Sequence, residues 1–319
     1  MNDVKTCLVT GGAGFIGSHL CDRLLARGLS VICVDNLLTG RKENLSDALQ
    51  HAQFTYLNHD VSEPFSFETI KQFNNVSSIF HLASPASVVD YQTYPEETAL
   101  VNSVGTRNLL ILARETGAKF LFASTSEVYG DPKEHPQKES YWGNVNPIGI
   151  RACYDESKRY GEMMTMVYLR KYALDGRIIR IFNTYGPRMR VNDGRVISNL
   201  VNQAIKGDQM TVYGDGTQTR SFCYVSDLVD GIMLSMFGDK TEGVVMNLGN
   251  PEEYSILDLA NKIKDMTGTP SQIVFKNLPS DDPHERQPDI TSAKTLVGWN
   301  PSVSVTDGLS KTIEYYRSL

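Results

Sequence analysis

A glycine-rich turn near the start of the chain joins a short apolar run to an amphipathic segment. Thr10-Gly-Gly-Ala-Gly-Phe-Ile-Gly17 follows the apolar residues Cys7–Val9, and Ile16, Leu20 and Leu24 then recur every four residues. This order is typical of a strand, a tight turn and the start of a helix. Such glycines let the backbone approach a pyrophosphate, which the helix N-terminus attracts with unpaired N–H groups and a positive dipole. The feature predicts that the chain begins as a nucleotide-binding βαβ unit.

Six short β-rich runs alternate with longer helical patterns over the first 180 residues. The runs are Thr6–Thr10, Val31–Asp35, Phe54–Asn58, Ser78–Leu82, Lys119–Ser124 and Arg177–Phe182. Strands that alternate with helices form a parallel, doubly wound α/β sheet, because each crossover returns the chain to the same end of the sheet. We therefore expect an α/β fold in which residues 1–180 form a Rossmann-type domain.

The pattern changes after residue 180, where Gly-Pro and Asp-Gly dipeptides separate shorter elements. Helical patterns recur at 196–206, 256–267 and 309–316. We expect residues 181–319 to form a smaller α/β substrate domain that closes over the mouth of the sheet. Within this division, a segment of one region can still pack as part of the other.

The second predicted strand ends in an acidic residue, Asp35, which lies 18 residues after Gly17. A carboxylate at this point accepts hydrogen bonds from both hydroxyls of an adenosine ribose and repels a 2′-phosphate. The strand end therefore favours NAD over NADP, although the cations Arg41 and Lys42 follow closely. The alternative is that Asp35 is an ordinary turn residue at a strand end.

A tyrosine and a lysine, Tyr154 and Lys158, are spaced to share one face of a predicted helix. A nearby ammonium lowers the pKa of a phenol, which suits a tyrosine base that acts on an alcohol or ketone. Tyr129 and Lys133 have the same spacing, but a glycine and a proline lie between them, which predicts a turn. The alternative for Tyr154 is a tyrosine packed on a core helix beside a solvated lysine.

Three polar residues, Thr125, Ser126 and Glu127, follow the fifth predicted strand. Ligands of open α/β sheets bind at the carboxyl ends of the strands, so we expect these side chains to reach the pocket of Tyr154. The alternatives are turn capping for the hydroxyls and a solvated loop position for Glu127.

The composition excludes several classes of protein. The 319 residues carry a formal net charge of −6, and the isoelectric point is about 5.6, which argues against nucleic acid as a main partner. No stretch approaches the ~18 apolar residues of a membrane span, and Met1–Lys5 leads straight into the first predicted strand, so we expect neither a membrane span nor a signal peptide. The five cysteines include no Cys-x-x-Cys pair. They indicate buried thiols in a reducing cytoplasm and no metal site.

With its glycine turn and its Tyr154–Lys158 pair, the chain resembles the extended short-chain dehydrogenases/reductases that act on nucleotide sugars, and the resemblance covers essentially the whole chain. Eight stretches carry a closer match: Ala123–Pro132, Tyr141–Gly149, Cys153–Arg159, Arg180–Met189, Asn192–Val196, Thr211–Phe222, Asn247–Glu252 and Asp281–Ile290. Within that superfamily the chain is most similar to the UDP-glucuronate decarboxylases, also called UDP-xylose synthases. The resemblance implies bound NAD, UDP-glucuronate as the substrate and UDP-xylose as the product.

The residue beside Glu127 distinguishes the reactions of this superfamily. The resemblance implies that Tyr154 takes the C4 hydroxyl proton while NAD⁺ accepts the C4 hydride, a step that all relatives share. A 4,6-dehydratase then needs an acid beside the glutamate to expel the 6-hydroxyl, but this chain has Ser126 there. A 4-epimerase leaves Glu127 idle. A decarboxylase needs no such acid, because the C4 ketone turns the C5 carboxylate into a β-keto acid.

These residues favour decarboxylation over two alternatives. One is a nucleotide-sugar 4-epimerase or 4,6-dehydratase, and the other is a regulatory or scaffold protein that binds NAD without turnover. The intact Tyr154, Lys158 and Glu127 count against the second alternative.

The resemblance also implies a full set of site residues. The predicted catalytic residues are Tyr154, Lys158, Glu127, Ser126, Thr125 and Arg286. The predicted cofactor contacts are Gly11, Gly14, Phe15, Ile16, Gly17, Asp35, Asn36, Thr39, Gly40, Asp60, Val61, Leu82, Ser84, Tyr154 and Lys158. The predicted substrate contacts are Asn183, Arg195, Tyr213, Arg220 and Arg286. Arginines suit a diphosphate, although any single one could instead form a surface ion pair.

Two further features concern single surfaces of the chain. Many relatives carry a lysine where this chain has Leu100, and that lysine is a candidate to hold the sugar carboxylate. The helical patterns at 96–116 and 153–173 are apolar enough to bury a second face. They predict a homodimer that pairs through a helix bundle.

Overall fold

The computed structural model describes residues 5–66, 69, 73, 75–277 and 285–319. Residues 281–284 of the stretch Asp281–Ile290 therefore lie outside the described part of the chain. The strands are β1 (Thr6–Thr10), β2 (Ser30–Val34), β3 (Phe54–Leu57), β4 (Val76–His81), β5 (Lys119–Thr125), β6 (Gly176–Ile181), β7 (Thr184–Tyr185), β8 (Met210–Tyr213), β9 (Thr219–Ser221), β10 (Cys223–Tyr224), β11 (Val245–Leu248), β12 (Glu253–Ser255), β13 (Ile273–Lys276) and β14 (Glu285–Arg286).

Helices connect most of these strands. They are α1 (Phe15–Ala26), α2 (Val88–Thr93), α3 (Pro95–Leu100), α4 (Thr106–Thr116), α5 (Ala152–Tyr172), α6 (Val196–Lys206), α7 (Val225–Phe237), α8 (Ile256–Thr267), α9 (Thr291–Val297) and α10 (Val305–Arg317). A π-helical turn, Val101–Gly105, joins α3 to α4, so the predicted pattern at 96–116 is helical but not one regular α-helix. The three helices predicted beyond residue 180 are confirmed, the last with an earlier start.

A parallel sheet is the centre of the fold, and within the described residues it has seven strands in the order β11-β6-β5-β4-β1-β2-β3. The doubly wound parallel sheet is confirmed, and the six predicted strands end within two residues of the observed ends. The strand missed by the prediction is β11, which brings the chain back from the second region to the edge of the sheet. The division at residue 180 stays a prediction.

Alternate residues of the strands pack against two different layers of helices. Leu8 and Phe120 face a core formed with α4 and α5, whereas Val9 and Leu121 face a core formed with α1 and α7. Successive side chains of a strand point to opposite faces of the sheet. Because helices cover both faces, the side chains on both faces are apolar. This two-sided burial explains why the β-rich runs read as nearly continuous apolar segments.

The second region places two arginines side by side near the sheet. β14 pairs in parallel with β9, and this register sets Arg286 opposite Arg220. β12 pairs with the other edge of β9, and β8 pairs with β13. The hydroxyl of Ser255 caps α8, and that of Ser304 caps α10. Among the described helices, none is long and apolar enough to cross a membrane.

Candidate active site

A cavity of about 520 Å³ lies at the carboxyl ends of the central strands. It is lined by every residue of the predicted catalytic, cofactor and substrate sets, including residues as far apart in the sequence as Gly11 and Arg286. The structure thus brings together all the predicted site residues, while their individual roles stay predictions. In the described ranges, no group of three or more His, Cys, Asp or Glu side chains could hold a metal ion.

The glycine turn is closed to larger side chains. Gly11 has a φ of +71°, and a Cβ there would lie 2.7 Å from the Ala83 nitrogen. A Cβ on Gly17 would lie 2.1 Å from the Gly11 carbonyl oxygen. The 12-residue helix α1 begins directly after Gly14, and its N-terminus lies at the cavity. This cradle fits a pyrophosphate, because it offers backbone N–H groups and no obstructing side chain.

Asp35 is buried directly after β2, where it links the glycine turn to the segment that follows the strand. Its carboxylate accepts hydrogen bonds from the backbone nitrogens of Ala13, at 2.9 Å, and Leu37, at 2.8 Å. Burial raises the pKa of Asp35, while these two backbone bonds lower it. Neither Arg41 nor Lys42 is among the described residues that line the cavity. The bond to Leu37, two residues further on, is a turn contact, so both the turn role and the cofactor role of Asp35 stay open.

Tyr154 and Lys158 lie in the first half of α5, and the side chains of both are buried. Lys158 Nζ donates to the Ala123 carbonyl oxygen at 2.9 Å and lies 5.8 Å from the centroid of the Tyr154 ring. Burial lowers the pKa of Lys158 to about 7. Burial also raises the pKa of Tyr154 to about 12, against a hydrogen bond with Thr125. Burial therefore dominates the pKa of both groups in the free protein, and a lowering of the phenol's pKa by the lysine stays a prediction.

The second tyrosine–lysine pair does not form a site. Tyr129 ends a short 3₁₀ turn, and its buried hydroxyl bonds to Asn247 and Arg180 rather than facing the cavity. Lys133 is exposed. The predicted turn is confirmed, because the 3₁₀ turn ends at Tyr129 and residues 130–133 are not helical.

Glu127 lies between two arginines at the cavity wall. Arg286 NH1 donates to Glu127 Oε1 at 2.8 Å and to Ser126 Oγ at 2.9 Å, and Arg151 pairs with the other carboxylate oxygen. Burial raises the pKa of Glu127, but the two guanidinium groups outweigh it and lower the pKa to about 2. The alternatives of a solvated acid and of a surface arginine are both wrong, because Arg286 is 2% exposed and paired to Glu127.

The neighbouring Thr125 has two roles that the sequence left open. Its hydroxyl accepts a hydrogen bond from the Glu127 nitrogen at 3.2 Å, which is the predicted turn cap, and it also bonds to Tyr154. Turn capping and a place in the site are therefore compatible at this residue.

The substrate side of the cavity carries cations that are already paired with carboxylates. Arg195 donates twice to Asp193, at 2.5 and 2.9 Å, and Arg190 pairs with Asp90. The predicted contacts Asn183, Tyr213 and Arg220 also line this side. Leu100 is 41% exposed and is not among the lining residues of the described chain. Leu100 therefore supplies no charge to the cavity wall, as expected from an apolar side chain in place of the lysine.

Two buried residues of the site carry no sequence signal that could have identified them. The Tyr91 ring stacks on the Tyr154 ring, with centroids 5.2 Å apart and planes 9° from parallel. The Tyr91 hydroxyl faces no hydrogen-bond partner among the described residues. Asn102, in the π-helical turn, donates to Ser84 and Ser157 at 3.1 Å each. Both residues reach the site through tertiary packing, which no local spacing encodes.

Comparison with known proteins identifies relatives over the whole chain. A family model described as GDP-mannose 4,6 dehydratase matches residues 8–312. The UDP-glucuronic acid decarboxylase 1 of Xenopus tropicalis is 52% identical over 315 residues, which are 99% of this chain and 73% of that protein. The UDP-glucuronic acid decarboxylase 2 of Arabidopsis thaliana is 53% identical over 310 residues, 97% of this chain and 68% of that protein.

Solved structures share the fold at lower identity. The UDP-glucuronic acid 4-epimerase of Bacillus cereus, in complex with UDP-glucuronic acid and NAD, superposes with a TM-score of 0.89 at 29% identity and covers 98% of this chain and 99% of its own. A dTDP-glucose 4,6-dehydratase of Streptomyces venezuelae with NAD bound has a TM-score of 0.89 at 28% identity, over 98% of this chain and 97% of its own.

Proposed function

Because this chain belongs to the family of UDP-glucuronic acid decarboxylases, we propose that it converts UDP-glucuronate to UDP-xylose and CO₂. The supporting observation is the pair Ser126 and Glu127, in which the glutamate is held ionised by Arg286 and Arg151. Neither side chain can act as a carboxylic acid at neutral pH. The site is therefore suited to losing CO₂ rather than to expelling a protonated hydroxyl.

The cofactor side of the cavity fits NAD. The turn from Gly11 to Gly17 and the N-terminus of α1 would hold the pyrophosphate, and the Asp35 carboxylate would hold the adenosine ribose. When bound, NAD⁺ supplies the acceptor for the C4 hydride of the sugar and later returns that hydride. Asp35 would repel the additional phosphate of NADP, so we expect NAD to be preferred.

Tyr154 is the base of the proposed reaction. Its phenol lies in the cavity between the Tyr91 ring and Thr125, so its position is fixed before the substrate arrives. We infer that Tyr154 takes the C4 hydroxyl proton as the C4 ketone forms, and returns it when the ketone is reduced. Lys158 donates a hydrogen bond to the Ala123 carbonyl oxygen and lies near the Tyr154 ring. In its protonated form, this lysine can stabilise a Tyr154 phenolate.

Loss of CO₂ follows from the chemistry of the ketone. The electrons of the bond between C5 and the carboxylate move into the C4 carbonyl group, and C5 then takes up one proton that ultimately comes from solvent. Glu127, with a pKa of about 2, is an acceptor at neutral pH and orients sugar hydroxyls or water rather than donating that proton. The Ser126 hydroxyl, which Arg286 holds, is the neutral partner beside it.

Decarboxylation is favoured over the alternative functions. The decarboxylases are 52% and 53% identical to this chain, whereas the epimerase and dehydratase structures are 29% and 28% identical. A scaffold that only binds NAD would not need Tyr154, Lys158, Glu127 and Arg286 to meet in one cavity.

The decisive experiment incubates the purified protein with NAD and UDP-glucuronate and follows CO₂ release together with the nucleotide-sugar product. We expect CO₂ and UDP-xylose in equal amounts. The C4 epimer of the substrate without CO₂ would establish the epimerase alternative, and NAD binding without any product would establish the scaffold alternative. A Glu127→Gln variant should keep its NAD affinity and release CO₂ far more slowly.

We further propose that two copies of the chain form a homodimer through α5 and the helical segment that packs alongside it. Tyr160, Met163 and Val167 recur on one face of α5, and Leu100 and Val104 lie on the adjoining segment, which packs alongside it. All five side chains are between 36% and 47% exposed. Exposed apolar side chains clustered on neighbouring helices are typical of subunit interfaces. The apolar Leu100 adds to this surface.

The mass of the protein in solution tests this homodimer. We expect light scattering to give twice the chain mass, and Met163→Glu to give the single-chain mass. Phe275→Glu, on a 56% exposed side chain of β13, is the matched control and should leave the dimer intact. A monomeric wild-type protein would contradict the proposal.

We also propose that the protein works in a reducing cytoplasm. Its cysteines are free, and the thiols of Cys21 and Cys33 hydrogen-bond to each other beneath the glycine turn. Rapid alkylation in the source cells should label the protein as five thiols, and fractionation should place it with cytoplasmic markers. A Cys21–Cys33 disulfide in freshly quenched cells would contradict this proposal.

A further inference from the structure

Asn247 is fully buried at the end of β11, and its side chain joins two separate segments of the chain. Its Nδ2 donates to the carbonyl oxygens of Gln137, at 3.0 Å, and Asp289, at 3.1 Å. Its Oδ1 accepts a hydrogen bond from the Tyr129 hydroxyl at 2.8 Å. The amide therefore uses both donors and one acceptor, each toward a different partner.

The partners of Asn247 belong to the two segments that carry the ion pair of the site. Tyr129 ends the turn that holds Glu127, and Asp289 lies three residues beyond Arg286. The backbone around Gln137 reinforces the second segment, because Gln137 exchanges backbone hydrogen bonds with Gln287 and Asp289, each 2.9 Å long. Asn247 is thus bonded to both sides of the Glu127–Arg286 contact.

A partly buried ion pair, Arg180 with Glu162, holds the Tyr129 hydroxyl from its other side. Arg180 donates to the Tyr129 hydroxyl at 2.9 Å and pairs twice with Glu162, at 2.9 and 2.8 Å. The Ser124 hydroxyl donates to Glu162 at 2.6 Å, which ties the ion pair to β5. The Tyr129 hydroxyl accepts from Arg180, so its single proton is directed to Asn247.

We propose that Asn247 is a positioning residue for the reaction, which holds the turn of Glu127 and the segment of Arg286 at the separation their ion pair requires. This inference rests on the proposed decarboxylase function only for its activity readout. An aspartate at 247 would have nearly the same shape but would set carboxylate oxygens against two carbonyl oxygens. The amide is therefore required for its hydrogen atoms rather than for its volume.

The test compares Asn247→Asp with a matched control, Asn202→Asp. The control makes the same change in a buried amide, which donates within α6 to the Ser198 carbonyl oxygen at 2.7 Å. We expect Asn247→Asp to lower kcat about 100-fold, a typical cost of misplacing reacting groups by about 1 Å, with unchanged affinities for NAD and UDP. Hydrogen exchange should rise in peptides that cover 285–290. The control should change neither the rate nor that exchange.

Two further readouts separate positioning from a general loss of packing. Asn247→Asp combined with Glu127→Gln should be no slower than Glu127→Gln alone, because both changes disable the same pair. The activity of Asn247→Asp relative to wild type should also rise as the pH falls, because a protonated acid regains one donor. Tyr129→Phe removes the bonds of the hydroxyl to Asn247 and Arg180 but keeps the ring and both bonds of the Asn247 Nδ2 group. It should show a smaller loss, and it is the variant to test if Asn247→Asp does not fold.

The outcomes are distinct. Additive rate losses in the double variant, or unchanged exchange in 285–290, would overturn the positioning role of Asn247. A wild-type protein that releases no CO₂ would overturn the proposed function instead, and the exchange measurement would still decide whether Asn247 holds the Arg286 segment.

Discussion

The cofactor side and the substrate side of the cavity present different chemical groups. The cofactor side consists of a glycine turn, a helix N-terminus and one carboxylate, Asp35, all within the first 35 residues. The substrate side consists of guanidinium groups held by carboxylates, and Arg286 and Glu127 are 159 positions apart in the sequence. The first surface forms locally from backbone geometry. The second exists only when distant segments have docked.

This difference has a consequence for ligand binding. The glycine cradle presents backbone N–H groups at the start of α1, whose position is set by the turn rather than by an ion pair. Two arginines of the substrate side, by contrast, are already paired with carboxylates, in Arg195–Asp193 and Arg190–Asp90. An anionic nucleotide sugar must share or replace these carboxylates. We therefore expect substrate binding to be more sensitive to charge changes than cofactor binding.

The largest expected effect is the loss of the base. Tyr154→Phe should lower turnover by about 10²–10⁴-fold, the usual contribution of general-base catalysis, while NAD binds as before. Steady-state rates and a fluorescence titration with NAD measure the two properties separately. Tyr254→Phe, which removes an exposed hydroxyl bonded to Glu252, is the control and should be neutral. Near-full activity in Tyr154→Phe would require another base.

The two arginines of the substrate side should differ from each other. Arg286→Ala leaves Glu127 with one guanidinium partner fewer, so turnover of UDP-glucuronate should fall about 100-fold, within the range of a lost charged contact, while plain UDP binds nearly as well. Arg220→Ala should weaken UDP and UDP-glucuronate alike. Calorimetric titrations of both ligands, alongside turnover, check this. Equal losses for both ligands in Arg286→Ala would place this arginine at the nucleotide.

A smaller effect is expected on the cofactor side. Asp35→Ala removes the carboxylate that repels a 2′-phosphate, so the ratio of NAD to NADP affinity should narrow about tenfold, the equivalent of about 1.4 kcal/mol. The ratio serves as its own control, because loosening of the turn weakens both cofactors together. A native preference for NADP would show that Asp35 has no such role.

The smallest effect concerns stability and pH. Burial and the Glu127 charge raise the pKa of Asp155 to about 7, from 3.8 in the unfolded chain. The folded protein therefore holds this proton more tightly, and the resulting stabilisation is full below the unfolded pKa and lost as the pH rises through about 7. Asp155→Asn abolishes this titration, so its Tm relative to wild type should rise between about pH 4 and pH 7 and stay level above that. A pH-independent difference would contradict the shift.

The predictions from the sequence were most accurate where local sterics decide the structure. The turn from Gly11 to Gly17 depends on glycine geometry, and the six strand segments depend on short, nearly continuous apolar runs. Both are properties of neighbouring residues. β11 was missed because a short strand at a sheet edge owes its place to its partner β6 rather than to its own sequence.

The resemblance to a family predicted which residues meet, but not how they act on one another. It grouped Tyr154 with Lys158 and Glu127 with Arg286. It did not indicate that burial would raise the pKa of the phenol, or that Arg286 would bond to Glu127 directly. Tyr91 was not predicted at all, because a ring that stacks on Tyr154 from another helix has no fixed spacing in the sequence.

The sequence by itself determined the doubly wound sheet, the cofactor cradle and the membership of the site. These follow from periodicity, turn geometry and motifs, which act over a few residues. Only the tertiary structure decided that Glu127 is ionised between two arginines, and that Asn247 bonds to both segments which carry the pair. The physical reason is that charge pairing and desolvation depend on distances between segments far apart in the chain, and folding alone sets those distances.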